Sequence, residues 1–117
     1  NNGKINWTIP FGEYEDLTKK GIPITGTVNF GGVVATAGNL VFATGTVDNK
    51  IRAYRASDGK ELWSYKMDYL GSSPPTIFEY QKEQYVLVVS TGSYTVKAQF
   101  PDQTEYGDTI YLFKLKN

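Results

Sequence analysis

The chain has 117 residues, with 12 lysines and arginines against 12 aspartates and glutamates, and therefore no net charge at pH 7. This balance excludes the usual basis for sequence-independent binding to nucleic acid or to an anionic bilayer. The absence of cysteine and histidine excludes the usual zinc sites, disulfides, cysteine nucleophiles and catalytic triads with a histidine base.

The composition predicts a β-rich globular chain. Nine tyrosines, six phenylalanines and two tryptophans occur together with 12 glycines and five prolines. Aromatic residues favour pleated strands, while glycine and proline favour the turns between them. No apolar run approaches the roughly 20 residues that a membrane-spanning helix needs.

In chain order, the pattern predicts a strand, a short helix and then a series of hairpins. The first strand is expected at 5–9 and the helix at 14–20, with acids first, lysines last and Gly21 as its end. This helix forms an insertion between strands. Further strands are expected at 32–37, 40–45, 50–55, 61–67, 75–80, 84–90 and 109–115. Turn residues at 37–39, 47–49 and 57–59 indicate tight connections.

A repeated five-residue string is the most informative feature. The string GKINW at 3–7 recurs as GKELW at 59–63, so the two glycines and the two tryptophans are each 56 positions apart. A period near 50 in an all-β chain indicates propeller blades. A propeller needs about four to eight blades, and this chain holds little more than one and a half. The pattern therefore predicts part of a propeller, whose last sheet has three strands and lacks its outer one.

Two stretches resemble the quinoprotein dehydrogenases. Residues 53–63 resemble the tryptophan docking motif of that family, A-x-D-x-x-T-G-x-x-x-W. Ala53, Gly59 and Trp63 match this motif, whereas Arg55 and Asp58 replace the family's Asp and Thr. Residues 12–32, followed by 35–42, resemble the C-terminal region of the membrane-associated, glucose-dehydrogenase-like branch of the pyrroloquinoline quinone (PQQ) enzymes.

The resemblance implies an eight-bladed propeller, of which this chain supplies about two four-stranded antiparallel blades. On this basis 1–31 form the end of one blade plus the insertion, 32–70 a complete blade, and 71–117 a final blade lacking its outer strand. That strand comes from the N-terminal part of such enzymes. If it is not supplied, the exposed edge is expected to allow strand exchange between copies of the fragment.

The same resemblance implies PQQ as the cofactor, with Ca²⁺ bound elsewhere in the full-length protein. It implies oxidation of glucose or another sugar or alcohol, transfer of electrons to a quinone or cytochrome, and a periplasmic location, with association to the inner membrane left open. The family's catalytic base is an aspartate of an earlier blade that no residue here matches. No catalytic residue and no metal ligand are therefore assigned, and the fragment alone is expected to be inactive.

The turn at 29–32 is the candidate cofactor-binding site. Tandem glycines leave the backbone uncovered, so that amide groups can approach an anionic ligand, and PQQ carries three carboxylates. By resemblance Phe30 lies beside the cofactor and offers its backbone to it, with Asn29 and Gly31 as its neighbours. The alternative is a tight strand entry with Phe30 in the core.

Other features have structural interpretations that compete with functional ones. Trp7 and Trp63 are expected to pack between blades rather than to stack on sugars. The acidic residues Glu13, Glu15 and Asp16 are expected to form ion pairs with lysines on a solvated face rather than a metal site. The polar stretch 91–108 is either a mobile loop or an element that borders the substrate entrance or contacts an electron acceptor. A non-catalytic propeller scaffold for protein assembly in the bacterial envelope is the alternative function.

Overall fold

Seven strands form two antiparallel sheets in a computed structural model that describes residues 2–101 and 105–116. The first sheet has the order β1 (Val33–Ala35), β2 (Leu40–Ala43), β3 (Lys50–Arg55) and β4 (Glu61–Lys66). The second has the order β5 (Thr76–Tyr80), β6 (Glu83–Ser90) and β7 (Thr109–Lys114). Within each sheet every strand pairs with the next one along the chain, so the predicted sheets of four and three strands are confirmed.

The predicted tight turns are also confirmed. Asn39 between β1 and β2, Asn49 before β3 and Gly59 before β4 have φ angles of 65°, 61° and 74°. These angles lie in the left-handed region, which asparagine and glycine tolerate better than other residues. The local sequence therefore fixes where each hairpin of the first sheet reverses.

The prediction of a strand at residues 5–9 is wrong. These residues form no strand in the described part of the chain. A strand exists only where a neighbour completes its ladder of backbone hydrogen bonds, and no described strand runs beside this segment. The β-like composition of this segment is therefore not sufficient to form a strand.

Two short helices accompany the sheets. The helix predicted at 14–20 is confirmed in a shorter form, α1 (Glu15–Thr18), and Gly21 follows it with a φ of 82°. A second helix, α2 (Tyr94–Gln99), was not predicted and lies within the polar stretch 91–108. Ser93 caps it by accepting a hydrogen bond from the Val96 N–H. None of the described helices is long and apolar enough to cross a membrane.

The two sheets pack face to face around the main core. Phe42, Ile51, Ala53 and Met67 of the first sheet and its exit meet Val86 and Val88 of the second, all of them buried. β3 contributes both Ile51 and Ala53 to this core, because side chains alternate between the two sides of a strand and residues two positions apart lie on the same side. Aromatic rings also contact each other between the two sheets, and the ring centroids of Trp63 and Phe113 are 5.1 Å apart.

The connections that follow β2, β4 and β6 leave the sheets at one end, because antiparallel strands alternate in direction. We call this the loop end; it comprises 28–32, 44–49, 67–75 and the described parts of 91–108. A second buried cluster of Val47, Leu70 and Val96 joins three of these segments. The Gly92 N–H also donates to the Leu70 carbonyl at 2.9 Å. Helix α2 is therefore anchored to the loop end by Val96, which is fully buried.

Trp7 packs against the β3–β4 turn at the opposite end. Its indole Nε1 donates to the Ala56 carbonyl at 2.8 Å. A Cβ atom at Gly59 would lie 2.6 Å from Cε3 of the ring, so the indole lies directly on the glycine. This contact agrees with the predicted packing role of Trp7. Trp63 is 37% exposed and contacts Phe42, Tyr65 and Phe113.

Candidate functional site

The candidate residues at 29–31 lie alongside the β2–β3 turn at the loop end. Asn29 forms an isolated antiparallel bridge with Thr46. The Phe30 N–H donates to the Gly45 carbonyl at 3.1 Å, and the Gly32 carbonyl accepts from the Thr44 N–H at 3.1 Å. The segment is thus held by backbone hydrogen bonds, and the Phe30 amide is already engaged within the chain.

Gly31 is glycine because another part of the backbone occupies the space of a side chain. A Cβ at Gly31 would run into the Thr44 carbonyl and Gly45. Gly45 has a φ of 103°, and its own Cβ would run into Gly31. The two glycines therefore allow the strand entry and the turn to approach closely, as the alternative interpretation of this sequence requires.

The two side chains that precede Gly31 remain open to solvent. Asn29 is exposed, and Phe30 is 40% exposed rather than buried in the core. Asn29 offers an amide that can both donate and accept hydrogen bonds, and Phe30 offers an apolar ring. This combination suits a flat ligand with polar atoms at its edge.

Behind Asn29 lies a buried polar network of Thr46, Asp48 and Arg52. The Thr46 hydroxyl donates to Asp48 Oδ1 at 2.6 Å and accepts from Arg52 Nη1 at 3.1 Å. Arg52 Nη2 forms an ion pair with Asp48 Oδ2. Only 6% of the Arg52 side chain and 1% of the Asp48 side chain are exposed. The two charges are thus removed from water and neutralise each other, as buried charges require.

The network determines the protonation of its members. Burial alone would raise the pKa of Asp48, but hydrogen bonds from Arg52 and Thr46 outweigh it and hold that pKa below its usual value. Burial likewise would lower the pKa of Arg52, and the hydrogen bond to Asp48 raises it instead. Burial raises the pKa of the nearby Tyr54 to about 12. The pair therefore stays ionised at neutral pH.

The insertion is attached to the same network. The Glu13 N–H donates to Asp48 Oδ2 at 3.0 Å, while the Glu13 carboxylate pairs with Lys50 at 2.8 Å. The hydrogen bond from Lys50 lowers the pKa of Glu13. Glu15 pairs with Lys66 at 3.0 Å and more loosely with Lys19 at 3.8 Å.

Glu13 and Glu15 thus bind lysines, mainly those of β3 and β4 rather than that of their own helix. The ion pair expected for Asp16 is not found among the described residues, and its side chain is exposed. In the described part of the chain, no group of three acidic residues is arranged to hold a metal ion.

Sequence reasoning missed the network, although a signal was present. Arg52 lies in the middle of β3 between buried Ile51 and Ala53, where a charged residue needs a partner. Asp48, four positions earlier, was assigned only to the turn. That assignment is correct, since Asp48 Oδ1 also accepts from the Lys50 N–H at 3.2 Å, but it left the charge of Arg52 without an explanation.

Comparison with known proteins gives a family match over most of the chain. A model of the PQQ family described as "Glucose/ethanol/alcohol dehydrogenase, beta-propeller domain" matches residues 1–86. The chain is 33% identical to the quinate/shikimate dehydrogenase (quinone) of Acinetobacter baylyi over 97% of this chain and 14% of that protein. It is 38% identical to the quinoprotein glucose dehydrogenase of Escherichia coli over 73% of this chain and 10% of that protein.

A third relative and a solved structure agree. The chain is 47% identical to a quinoprotein alcohol dehydrogenase of Pseudomonas putida over 72% of this chain and 14% of the relative. A europium-containing methanol dehydrogenase superimposes with a TM-score of 0.64 at 27% identity, over 74% of this chain and 19% of its own. The chain therefore spans only 10–14% of the length of these three relatives, and its two sheets are part of a β-propeller, as predicted.

Proposed function

Because the chain belongs to the β-propeller family of PQQ-dependent dehydrogenases, we propose that it forms part of the propeller of an enzyme that oxidises glucose or another sugar or alcohol. The match of the family model over residues 1–86 carries this proposal. The relatives include a glucose dehydrogenase and an alcohol dehydrogenase, so the hydroxyl-bearing carbon is the feature their substrates share. The electrons pass to a quinone or cytochrome, and the enzyme acts in the periplasm.

The division of the chain into blades is part of the proposal. Residues 32–70 form one complete blade, 71–117 a final blade without its outer strand, and 1–31 the end of a preceding blade with the insertion. In support, β7 pairs only with β6 among the described strands. The far face of the second sheet is apolar and open, with Ile110 63% and Leu112 56% exposed. The remaining blades would cover this face and this edge.

The contact of Trp7 supports the same arrangement. Its indole lies on Gly59 and bonds to Ala56, which are the turn residues of the repeat that follows. We propose that this contact is the tryptophan docking of the family. Trp63, at the same place in its own string, would then dock at the corresponding place of the final blade, near the end of β7.

Asn29, Phe30 and Gly31 are proposed to line the cofactor. The donor set fits, because PQQ is a flat molecule edged by carboxylates and carbonyls. The exposed Phe30 ring offers an apolar surface and Asn29 offers the polar contact. When bound, PQQ supplies the carbonyl that accepts the hydride of the substrate. Gly31 contributes only by letting the chain approach Gly45, and the residues of this chain bind and orient the cofactor.

The test is reconstitution of the complete protein that contains this chain with PQQ and Ca²⁺. PQQ binding is measured by quenching of tryptophan fluorescence, and dye reduction is measured with glucose and with ethanol. We expect saturable PQQ binding and substrate-dependent dye reduction. Absence of PQQ binding would contradict the dehydrogenase proposal and favour a non-catalytic scaffold. The preferred substrate identifies the branch of the family.

The site is tested separately by Asn29→Ala. Loss of one hydrogen bond to a charged acceptor costs about 1.5–3 kcal/mol, or about 10–150-fold in Kd. Asn6→Ala, which also truncates an exposed asparagine, is the matched control and is expected to leave Kd unchanged. Equal PQQ affinity in both variants would remove Asn29 from the site.

A further inference from the structure

The backbone of Asn29 is coupled to a buried side chain that neither the sequence motifs nor the comparisons single out. Thr46 is fully buried, and its backbone forms the bridge with Asn29. The neighbouring Gly45 carbonyl receives the Phe30 N–H. The position of both candidate ligand-binding residues therefore depends on where residues 45 and 46 lie.

Thr46 is held from three directions. Its hydroxyl donates to Asp48 and accepts from Arg52, at 2.6 and 3.1 Å. Its methyl group lies against Gly12 of the insertion, where an added Cβ would come within 2.7 Å of Thr46 Cγ2. The hydroxyl is thus fully used within the chain, and its orientation is fixed by an ion pair that is itself buried.

We propose that Thr46 is a positioning residue that fixes Asn29 and Phe30 for binding a planar polycarboxylate cofactor, through the ion pair of Asp48 and Arg52. This inference rests on the proposed function. The ion pair holds the Thr46 hydroxyl in place, the backbone of Thr46 holds Asn29 through their bridge, and Asn29 contacts the ligand. Thr46 itself touches no ligand, since its hydroxyl has both of its partners inside the protein.

The ion pair alone does not distinguish this role from plain stability. A buried pair is often no more stabilising than apolar residues of the same volume, so its presence calls for another explanation. Here the pair lies four residues apart in one hairpin, and it also receives the Glu13 N–H at 3.0 Å. It therefore brings three segments to one point directly behind Asn29.

The experiment compares Thr46→Val with Thr46→Ser in the complete protein, using the PQQ dissociation constant from fluorescence quenching. Valine keeps the volume and removes the hydroxyl, whereas serine keeps the hydroxyl and removes the methyl group. We expect Thr46→Val to bind PQQ about tenfold more weakly, the scale seen when groups that orient a ligand-binding residue are lost. Thr46→Ser is expected to remain within about twofold of the parent protein.

Thr36→Val is the structural control. The Thr36 hydroxyl accepts from the Leu40 N–H at 3.3 Å in the β1–β2 turn, at the end of the sheet away from Asn29. The Thr36→Val variant is expected to leave PQQ affinity unchanged.

If Thr46→Val does not fold, Arg52→Lys is tested in its place, because lysine keeps the charge but lacks the planar guanidinium group that bonds to Thr46 and Asp48 together. About fivefold weaker PQQ binding is then expected.

The outcomes separate the two proposals. If the parent protein does not bind PQQ, both the function and the positioning role are overturned. If it binds PQQ and Asn29→Ala weakens binding while Thr46→Val does not, only the positioning role is overturned. Equal weakening in Thr46→Val and Thr46→Ser also overturns it, since the hydroxyl would then be irrelevant.

Discussion

The contact between Trp7 and Gly59 can be tested quantitatively by Gly59→Ala. Two costs are expected. Gly59 has a φ of 74°, and alanine in the left-handed region costs about 1–2 kcal/mol. In addition, the new Cβ would lie 2.6 Å from Cε3 of Trp7, so the ring has to move by about 1 Å to restore an ordinary contact distance. This movement weakens the hydrogen bond from Nε1 to Ala56, worth about 1 kcal/mol, and part of the ring packing.

The expected total is a loss of about 3 kcal/mol in the free energy of unfolding. Gly21→Ala is the matched control, because Gly21 has a φ of 82° and no atom within 4 Å of an added Cβ. It should cost only the backbone part, about 1–2 kcal/mol. Urea denaturation followed by circular dichroism measures both variants, and tryptophan emission reports the release of Trp7 to water.

A double-mutant cycle completes the test. In a Trp7→Ala background, Gly59→Ala should cost no more than Gly21→Ala, because no ring remains to be displaced. Equal costs for Gly59→Ala and Gly21→Ala in the parent chain would refute the reasoning. The same conclusion would follow if the cost of Gly59→Ala did not change when Trp7 is absent.

Two further predictions concern the buried ion pair and the second tryptophan. Asp48→Asn leaves the buried Arg52 with only the half-exposed Glu61, whose carboxylate is 3.8 Å away, as a counter-charge, and should cost about 3 kcal/mol at pH 7, measured by urea denaturation. The folded-state pKa of Asp48 lies below its ordinary 3.8, so its stabilisation is present above about pH 4 and is lost as the pH falls further. The urea midpoint should therefore fall more steeply below pH 4 in the parent chain than in Asp48→Asn, and parallel curves would contradict the assignment. Trp63→Ala should cost about 2 kcal/mol, below the 3–5 kcal/mol of a fully buried tryptophan, because the side chain is 37% exposed; an unchanged thermal midpoint would argue against its packing on Phe113.

The sequence predicts the strands well where the chain itself supplies their partners. β3, from Lys50 to Arg55, coincides with its prediction, because the flanking turns at Asn49 and Gly59 are local signals. The segment 5–9 has an equally β-like composition and forms no strand. The difference between the two is the neighbouring strand, which is a property of tertiary structure rather than of local sequence.

Helix α2 is the opposite case, because it forms although the sequence did not predict it. Its first half, from Tyr94 to Val96, is aromatic and β-branched with weak helix propensity, and only the three residues from Lys97 to Gln99 favour a helix. The helix forms because Val96 reaches the buried cluster with Val47 and Leu70, and because Ser93 caps it. The cap and three helix-favouring residues are too short a signal for an isolated helix, so tertiary packing decides this element.

The candidate site was located by its glycines, but the structure gives those glycines a different reason. Gly31 is required because the Thr44 carbonyl and Gly45 occupy the space of its side chain. A bulky substitution at Gly31 would therefore disrupt the strand entry whether or not a ligand binds there. A loss of PQQ affinity in such a variant would carry no information about cofactor contact. The informative substitutions are those at Asn29, whose side chain is exposed, and at Thr46, where valine changes one hydroxyl and little else.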